Sequence, residues 1–437
     1  MNSKTTIIAG RWVIPVEPAN TILENHCVVI ENDKIIDILP IEHISVSYPK
    51  AELIKRPNHV LMPGLINSHT HAAMSLLRGI ADDIPLMDWL NNHIWPVEAE
   101  HMSEEFVGDG TQLAIAEMLL GGTTCFNDMY FFPDVVAQKA QQCGMRAVVG
   151  MIVIDFPSAW AKDSDDYFRK GTDVHDQCKQ LPLVTTALAP HAPYTVSDDN
   201  LTRARILADE LMVPVHIHLH ETTHETQESS NMLGMRPLQR LQELGLASPR
   251  LLAVHMTDLT DDEISDIATQ GVNVVHCPES NLKLNSGFCP VGKLLKAGVN
   301  VALGTDGAAS NNDLDMFSEM QTAALLAKAV ADSSTALPAH TAIEMATING
   351  AKALGLEEVT GSLKIGKQAD MIAIDLNHVS TQPVYDPVAQ LVYSANRQQV
   401  SDVWVAGQHL VEHHQLKDMD QQAVILNAQQ WAKRIQP

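Results

Sequence analysis

Between residues 62 and 359 short apolar runs alternate with longer amphipathic stretches, and four separated pieces each end in a metal-type ligand: His69 with His71, then His218, then His255, then Asp306. Strand-helix alternation over such a length calls for a parallel β/α architecture, and the number of runs is near that of an eight-stranded barrel. In that architecture reactive groups gather at the C-terminal ends of the strands. All of these candidates sit there.

The first piece reads HVLMPGLINSHTH. If Asn67 to His71 is extended, side chains alternate between faces, so His69 and His71 project the same way and can grip one ion. Two neutral imidazoles suit zinc or a similar first-row metal. The second piece, VPVHIHLHET, places His216, His218 and His220 on one face of a strand by period-two alternation, with Glu221 at its end. Spacing does not choose among the three histidines. His255 closes the run LLAVH before a helix capped by Thr260. Asp306 follows the buried run GVNVALGT, where it is either a helix cap or a ligand. Ser310, Asn311 and Asn312 stand downstream as alternative caps, which favours the ligand role.

A chain of 437 residues suits one large domain and a smaller one. Its 29 Lys and Arg against 53 Asp and Glu give a net charge of −24, which disfavours nucleic acid and anionic lipid as partners. Cys27, Cys125, Cys143, Cys178, Cys277 and Cys289 include no C-x-x-C pair, as expected of reduced thiols in a cytoplasmic setting. The start, MNSKTTIIAGRW, lacks the apolar core of a signal peptide, and no apolar run is long enough to span a membrane.

Both ends of the chain have a different texture. Residues 3 to 60 and 360 to 414 carry short β-type runs separated by turn residues, the signature of hairpins in an antiparallel sheet. Residues 1–61 and 360–437 are therefore expected to form one β domain around a catalytic domain at 62–359. From about residue 419 the chain reads as a terminal surface helix.

The segments PGLINSHTHAAMSLLRG, APHAPYTVSDD, HLHET, AVHMT, HCPESNLKL and LGTDGAASNNDLDM together resemble the amidohydrolase superfamily, and within it the 5'-methylthioadenosine/S-adenosylhomocysteine deaminase branch. The resemblance runs through nearly the whole chain. It implies a distorted (β/α)8 barrel with a β-sandwich made from both chain ends. It also implies one divalent ion per chain, zinc by expectation, on His69, His71, His218 and Asp306, with His216 and His220 structural. Triazine hydrolases and deaminases of guanine, cytosine or pterins share much of the pattern, and form the alternative reading. Self-association is common among such relatives.

The reaction implied is hydrolytic deamination of an adenine, which needs hydroxide at neutral pH; a metal ion lowers the pKa of bound water from about 15.7 to roughly 7. Glu221 is the expected proton donor to the ring nitrogen beside the attacked carbon. Asp306 accepts the proton of the attacking water, and His255 orients the hydroxide. By the same resemblance Glu98, in WPVEAEH, grips the ribose hydroxyls and His191 contacts the nucleoside. Trp89 is expected to wall the base or thioether. Met151 falls where an arginine for the carboxylate of S-adenosylhomocysteine is expected, so a preference for 5'-methylthioadenosine follows.

Overall fold

The computed structural model describes residues 5–436. Eight parallel strands follow one another around the barrel in chain order: β1 (Leu65–Thr70), β2 (Thr123–Asp128), β3 (Arg146–Val153), β4 (Val184–Pro190), β5 (Val215–Leu219), β6 (Leu251–His255), β7 (Asn273–His276) and β8 (Val301–Leu303). Helices cover the outer face of this sheet, so nearly every strand position is buried and the strands read as apolar runs.

The barrel nearly closes between β8 and β1. Asp306 donates its backbone N–H to the His69 carbonyl at 3.0 Å. The Asn67 amide bonds Thr305 twice, at 2.7 Å to its hydroxyl and 3.0 Å from its backbone N–H. Glycine is required at 304, because a Cβ there would stand 2.8 Å from the His69 backbone nitrogen. The residues that hold this seam are thus the neighbours of the site residues.

A nine-stranded sheet draws on both chain ends. The strand Met371–Asp375 pairs antiparallel with Glu52–Pro63, which itself lies beside Thr5–Val13. Along Glu52–Pro63 the pleat sends Val60 and Met62 into the barrel core and Leu61 into a second core with Ile8, Val28 and Trp404. Arg146 on β3 reaches across to Asp370 at 2.7 Å and ties the two sheets together.

Local signals in the sequence are realised at several helix ends. Thr260 and Glu263 form a reciprocal capping box on the helix Asp261–Gln270. The terminal helix Gln421–Ile435 is capped by Asp420 and docks through Trp431, whose indole N–H donates to Asp109 at 2.9 Å. Among the described residues no helix is long and apolar enough to cross a membrane.

Candidate metal centre and active-site cavity

His69 ends β1 one residue from its terminus, and His71 follows directly after it. Asp128, at the end of β2, accepts from the Thr70 hydroxyl at 3.0 Å and from the Ala72 backbone at 2.7 Å, which fixes the turn carrying both histidines. On β5 the even positions point inward, and His216 and His218 are both buried. Asp306 follows β8 with φ +64, and His255 ends β6 with φ +77. Left-handed backbone at non-glycine residues costs of order 1–3 kcal/mol each and concentrates at functional sites.

These strand ends converge. The Nε2 atoms of His69 and His71 each lie 3.2 Å from Asp306 Oδ1, and His218 Nε2 lies 3.3 Å from His71 Nε2. Ligand atoms of His69, His71 and Asp306 fall within 4.8 Å of one another, as do those of His69, His218 and His255. His69 Nε2 is buried and makes no hydrogen bond despite its approach to Asp306. A buried nitrogen without a partner, facing a carboxylate and two more imidazoles, fits a divalent cation with borderline N and O preferences.

The other ring nitrogens of these histidines are held from behind. His71 Nδ1 lies 2.6 Å from the Met129 carbonyl, and His218 Nδ1 lies 2.8 Å from the His191 carbonyl. Such partners set the tautomer that leaves Nε2 free for a metal. His69 Nδ1 instead meets His216 Nε2 at 2.8 Å, so His216 supports the cluster rather than merely filling the core.

Burial drives the titration of the cluster. It pulls His69 down to about 4 and His218 well below the usual histidine range. Burial opposes a charge on His71 too, but the facing Asp306 carboxylate outweighs it and raises His71 to about 9. Burial would raise Asp306, yet the close approach of the His69 and His71 imidazoles holds it well below the ordinary carboxylate range.

A cavity of about 600 Å³ opens over this cluster and is lined by Trp89, Glu98, His191, Glu221 and His255 among others. Glu98, on the helix Trp95–His101, accepts a hydrogen bond from Tyr130, and burial lifts its pKa to about 7. His191 stands just beyond β4, its ring facing the cavity and its carbonyl on His218. Glu221 is 12% exposed, and burial raises its pKa. Its Oε2 lies 3.9 Å from His255 Nε2, and Ser286 donates to its Oε1 at 3.4 Å.

Two sequence expectations need correction. Met151 does not reach the cavity: its side chain packs outward against Gly171 of the helix Ser164–Cys178, and the neighbours of opposite parity, Ile152 and Ile154, line the wall instead. Counting along a motif identified the strand but not its inward register, and one residue of slip reverses the face. Ser310 and Asn311 do not cap a helix; both lie inside the short helix Ala308–Asn311, and Asn312 follows it. Asp306 is nonetheless no side-chain cap of that helix, whose N-cap is Gly307.

Tyr130, Ser280 and Asn281 were not singled out by the sequence, and Ser310, expected as a cap, instead donates to Asp306. Tyr130 carried no signal beyond its place after β2. Ser280 and Asn281 lie within HCPESNLKL, a segment used for resemblance but given no role.

Residues 60–410 match the amidohydrolase family. A 5-methylthioadenosine/S-adenosylhomocysteine deaminase of Teredinibacter turnerae is 51% identical over 438 residues, covering 100% of this chain and 99% of its own. The corresponding protein of Saccharophagus degradans is 49% identical, over 100% of this chain and 98% of its own. The crystal structure of an adenosine deaminase from Xanthomonas campestris with bound zinc superposes with a TM-score of 0.97 at 54% identity, covering 98% of both chains. The strand-end cluster, the barrel that carries it and the full-length similarity agree: this chain belongs to the amidohydrolase family and is a metal-dependent aminohydrolase.

Proposed function

We propose that the protein deaminates 5'-thio-substituted adenosines, 5'-methylthioadenosine foremost, replacing the 6-amino group by oxygen from water and releasing ammonia. The observation that carries this reading is the placing of two buried carboxylates, Glu98 and Glu221, in one cavity with the histidine–aspartate cluster. One serves the sugar and the other the reacting ring.

His69, His71, His218 and Asp306 would hold the ion. Bound there, a divalent ion makes water acidic enough to supply a nucleophile at neutral pH. Glu221, whose pKa burial raises, donates to the ring nitrogen beside the attacked carbon, stabilises the tetrahedral adduct and takes back the hydroxyl proton as the ring carbonyl forms. Asp306, held ionised, takes the proton of the attacking water and returns it to the departing amine. His255 Nε2 orients that water from the side of Glu221. Glu98 accepts from the ribose hydroxyls, and His191, kept neutral with its pKa lowered to about 3 by burial, contacts the nucleoside. Trp89 walls the base.

A preference for the methylthio compound over S-adenosylhomocysteine is supported by the cavity mouth rather than by Met151. Phe156, Tyr194 and Glu221 line both the site and a second cavity of about 890 Å³, which Asp155, Asp199 and Glu228 also line. Arg240, the one Lys or Arg on that lining among the described residues, is already engaged with Asp198 and the carbonyls of Pro193 and Val196. A carboxylate tail meets no free cation there. The six cysteines, all free thiols, suit a reducing cytoplasm.

Ammonia release should be measured on zinc-loaded protein with 5'-methylthioadenosine, S-adenosylhomocysteine, adenosine, guanine, cytosine and a triazine. Turnover confined to a free base or triazine sinks the nucleoside reading. A higher kcat/KM for S-adenosylhomocysteine than for the methylthio compound sinks the preference alone.

A further inference from the structure

β7 lies between β6 and β8, yet it ends in His276 and sends no side chain of its own into the cluster. The chain turns at once into the helix Pro278–Lys283. Successive helix residues point about 100° apart, so two neighbours on one turn can face the strands on either side of β7. Ser280 and Asn281 do this. The Ser280 hydroxyl donates to Asp306 Oδ2 at 2.7 Å, and His255 Nδ1 lies 2.8 Å from Asn281 Oδ1.

We propose that Ser280 and Asn281 are paired positioning residues of the reaction, Ser280 aiming Asp306 at the metal ligands and Asn281 aiming His255 at the reacting water. The assignment rests on the deaminase reading for its kinetic arm only.

Asp306 has two oxygens, and their roles are divided by what each accepts. Oδ1 takes the Gly307 backbone N–H at 2.8 Å and faces both His69 and His71 at 3.2 Å. Oδ2 takes Ser280, with the Ser310 hydroxyl behind it at 3.0 Å. Ser280 is fully buried and Ser310 nearly so. Without Ser280, Oδ2 keeps only the Ser310 hydroxyl, and the oxygen offered to the cluster is held less firmly.

Asn281 acts on the other side. The His255 ring donates Nδ1–H to the Asn281 oxygen, so its Nε2 is the nitrogen turned toward Glu221. Asn281 is buried, and its own Nδ2 has no partner. An unpaired buried donor costs about 1–3 kcal/mol. An amide kept at that cost is explained by the acceptor it offers to His255.

The two residues predict different signatures. Zinc affinity, read by competition with a chromogenic chelator, should fall about tenfold in Ser280→Ala and toward a hundredfold in Ser280→Ala/Ser310→Ala, the range for partners of metal ligands. Ser280→Thr, which keeps the hydroxyl, should restore it. Asn281→Ala should bind zinc as the wild type does, lower kcat for 5'-methylthioadenosine and leave KM unchanged, while Asn281→Asp, which keeps the oxygen, should recover kcat. Lys283→Ala on the same helix serves as the control, and thermal unfolding of metal-stripped proteins verifies the fold. Wild-type zinc affinity in both alanine variants at 280 overturns the assignment. Parallel loss of zinc and kcat in Asn281→Ala overturns it too, as does threonine or aspartate failing to rescue a folded variant. A wild-type protein that does not deaminate the nucleoside overturns the functional reading instead, and leaves the zinc arm to be decided by itself.

Discussion

Glu221 Oε2 lies 3.9 Å from His255 Nε2, with the two side chains 12% and 1% exposed. A carboxyl group and an imidazole on adjacent strand ends thus face each other inside the cavity, one suited to giving a proton and the other to steering the water that loses one. Burial raises the Glu221 pKa.

Glu221→Gln keeps the size of the side chain and removes the transferable proton. Expected is a fall in kcat of about 10²–10⁴-fold, the usual contribution of a general acid or base, with zinc content by metal analysis unchanged. A glutamine variant that deaminates at the wild-type rate removes Glu221 from the mechanism.

Glu98→Gln tests recognition rather than chemistry. Loss of a charged acceptor for the ribose hydroxyls should lower kcat/KM for nucleosides by about 1.5–3 kcal/mol, the worth of a hydrogen bond to a charged group. Turnover of any free heterocycle should be untouched. Equal losses on nucleoside and free base show that Glu98 instead supports the helix Trp95–His101.

Gly304→Ala forces a Cβ to within 2.8 Å of the His69 backbone nitrogen, at the seam between β8 and β1. Overpacking of this kind costs about 1–3 kcal/mol. Because the strain falls on the backbone of a ligand residue, zinc occupancy should drop together with the melting temperature. A variant that melts lower but holds zinc normally separates the seam from the metal centre.

In the sheet formed by the chain ends, Arg56 donates to Asp402 through Nε at 2.7 Å and His409 approaches the same carboxylate at 3.1 Å. Burial would raise the Asp402 pKa, but these donors hold it well below the ordinary carboxylate range. A carboxylate lowered on folding stabilises the native state above its unfolded pKa, near 3.8, and that contribution is lost as pH falls from there through the lower folded pKa. Asp402→Asn leaves the buried Arg56 without its counter-charge and should destabilise the protein at pH 7 by about 3–5 kcal/mol. Denaturant unfolding should show the gap between the two proteins narrowing below pH 4; a constant gap down to pH 2 refutes the ion-pair origin.

Much was legible from residue order because its physics is local. Strand-helix alternation follows from periodicity, capping from Thr260, and the paired projection of His69 and His71 from the geometry of an extended chain. The strand-end positions of His218, His255 and Asp306 marked them as a group before any contact was known. Tertiary structure decided what depends on register and on neighbours distant in sequence. Met151 and Ile152 are adjacent in the chain, and only the packing of β3 against its helix shows which of them faces the cavity. His216 gained its place beside His69 from residues 147 positions apart, and Ser280 and Asn281 gained theirs from strands that flank their own. A sequence carries the period of a strand, but the inward face and the partners across a barrel are settled only when the sheet closes and each buried polar group must find a donor or acceptor.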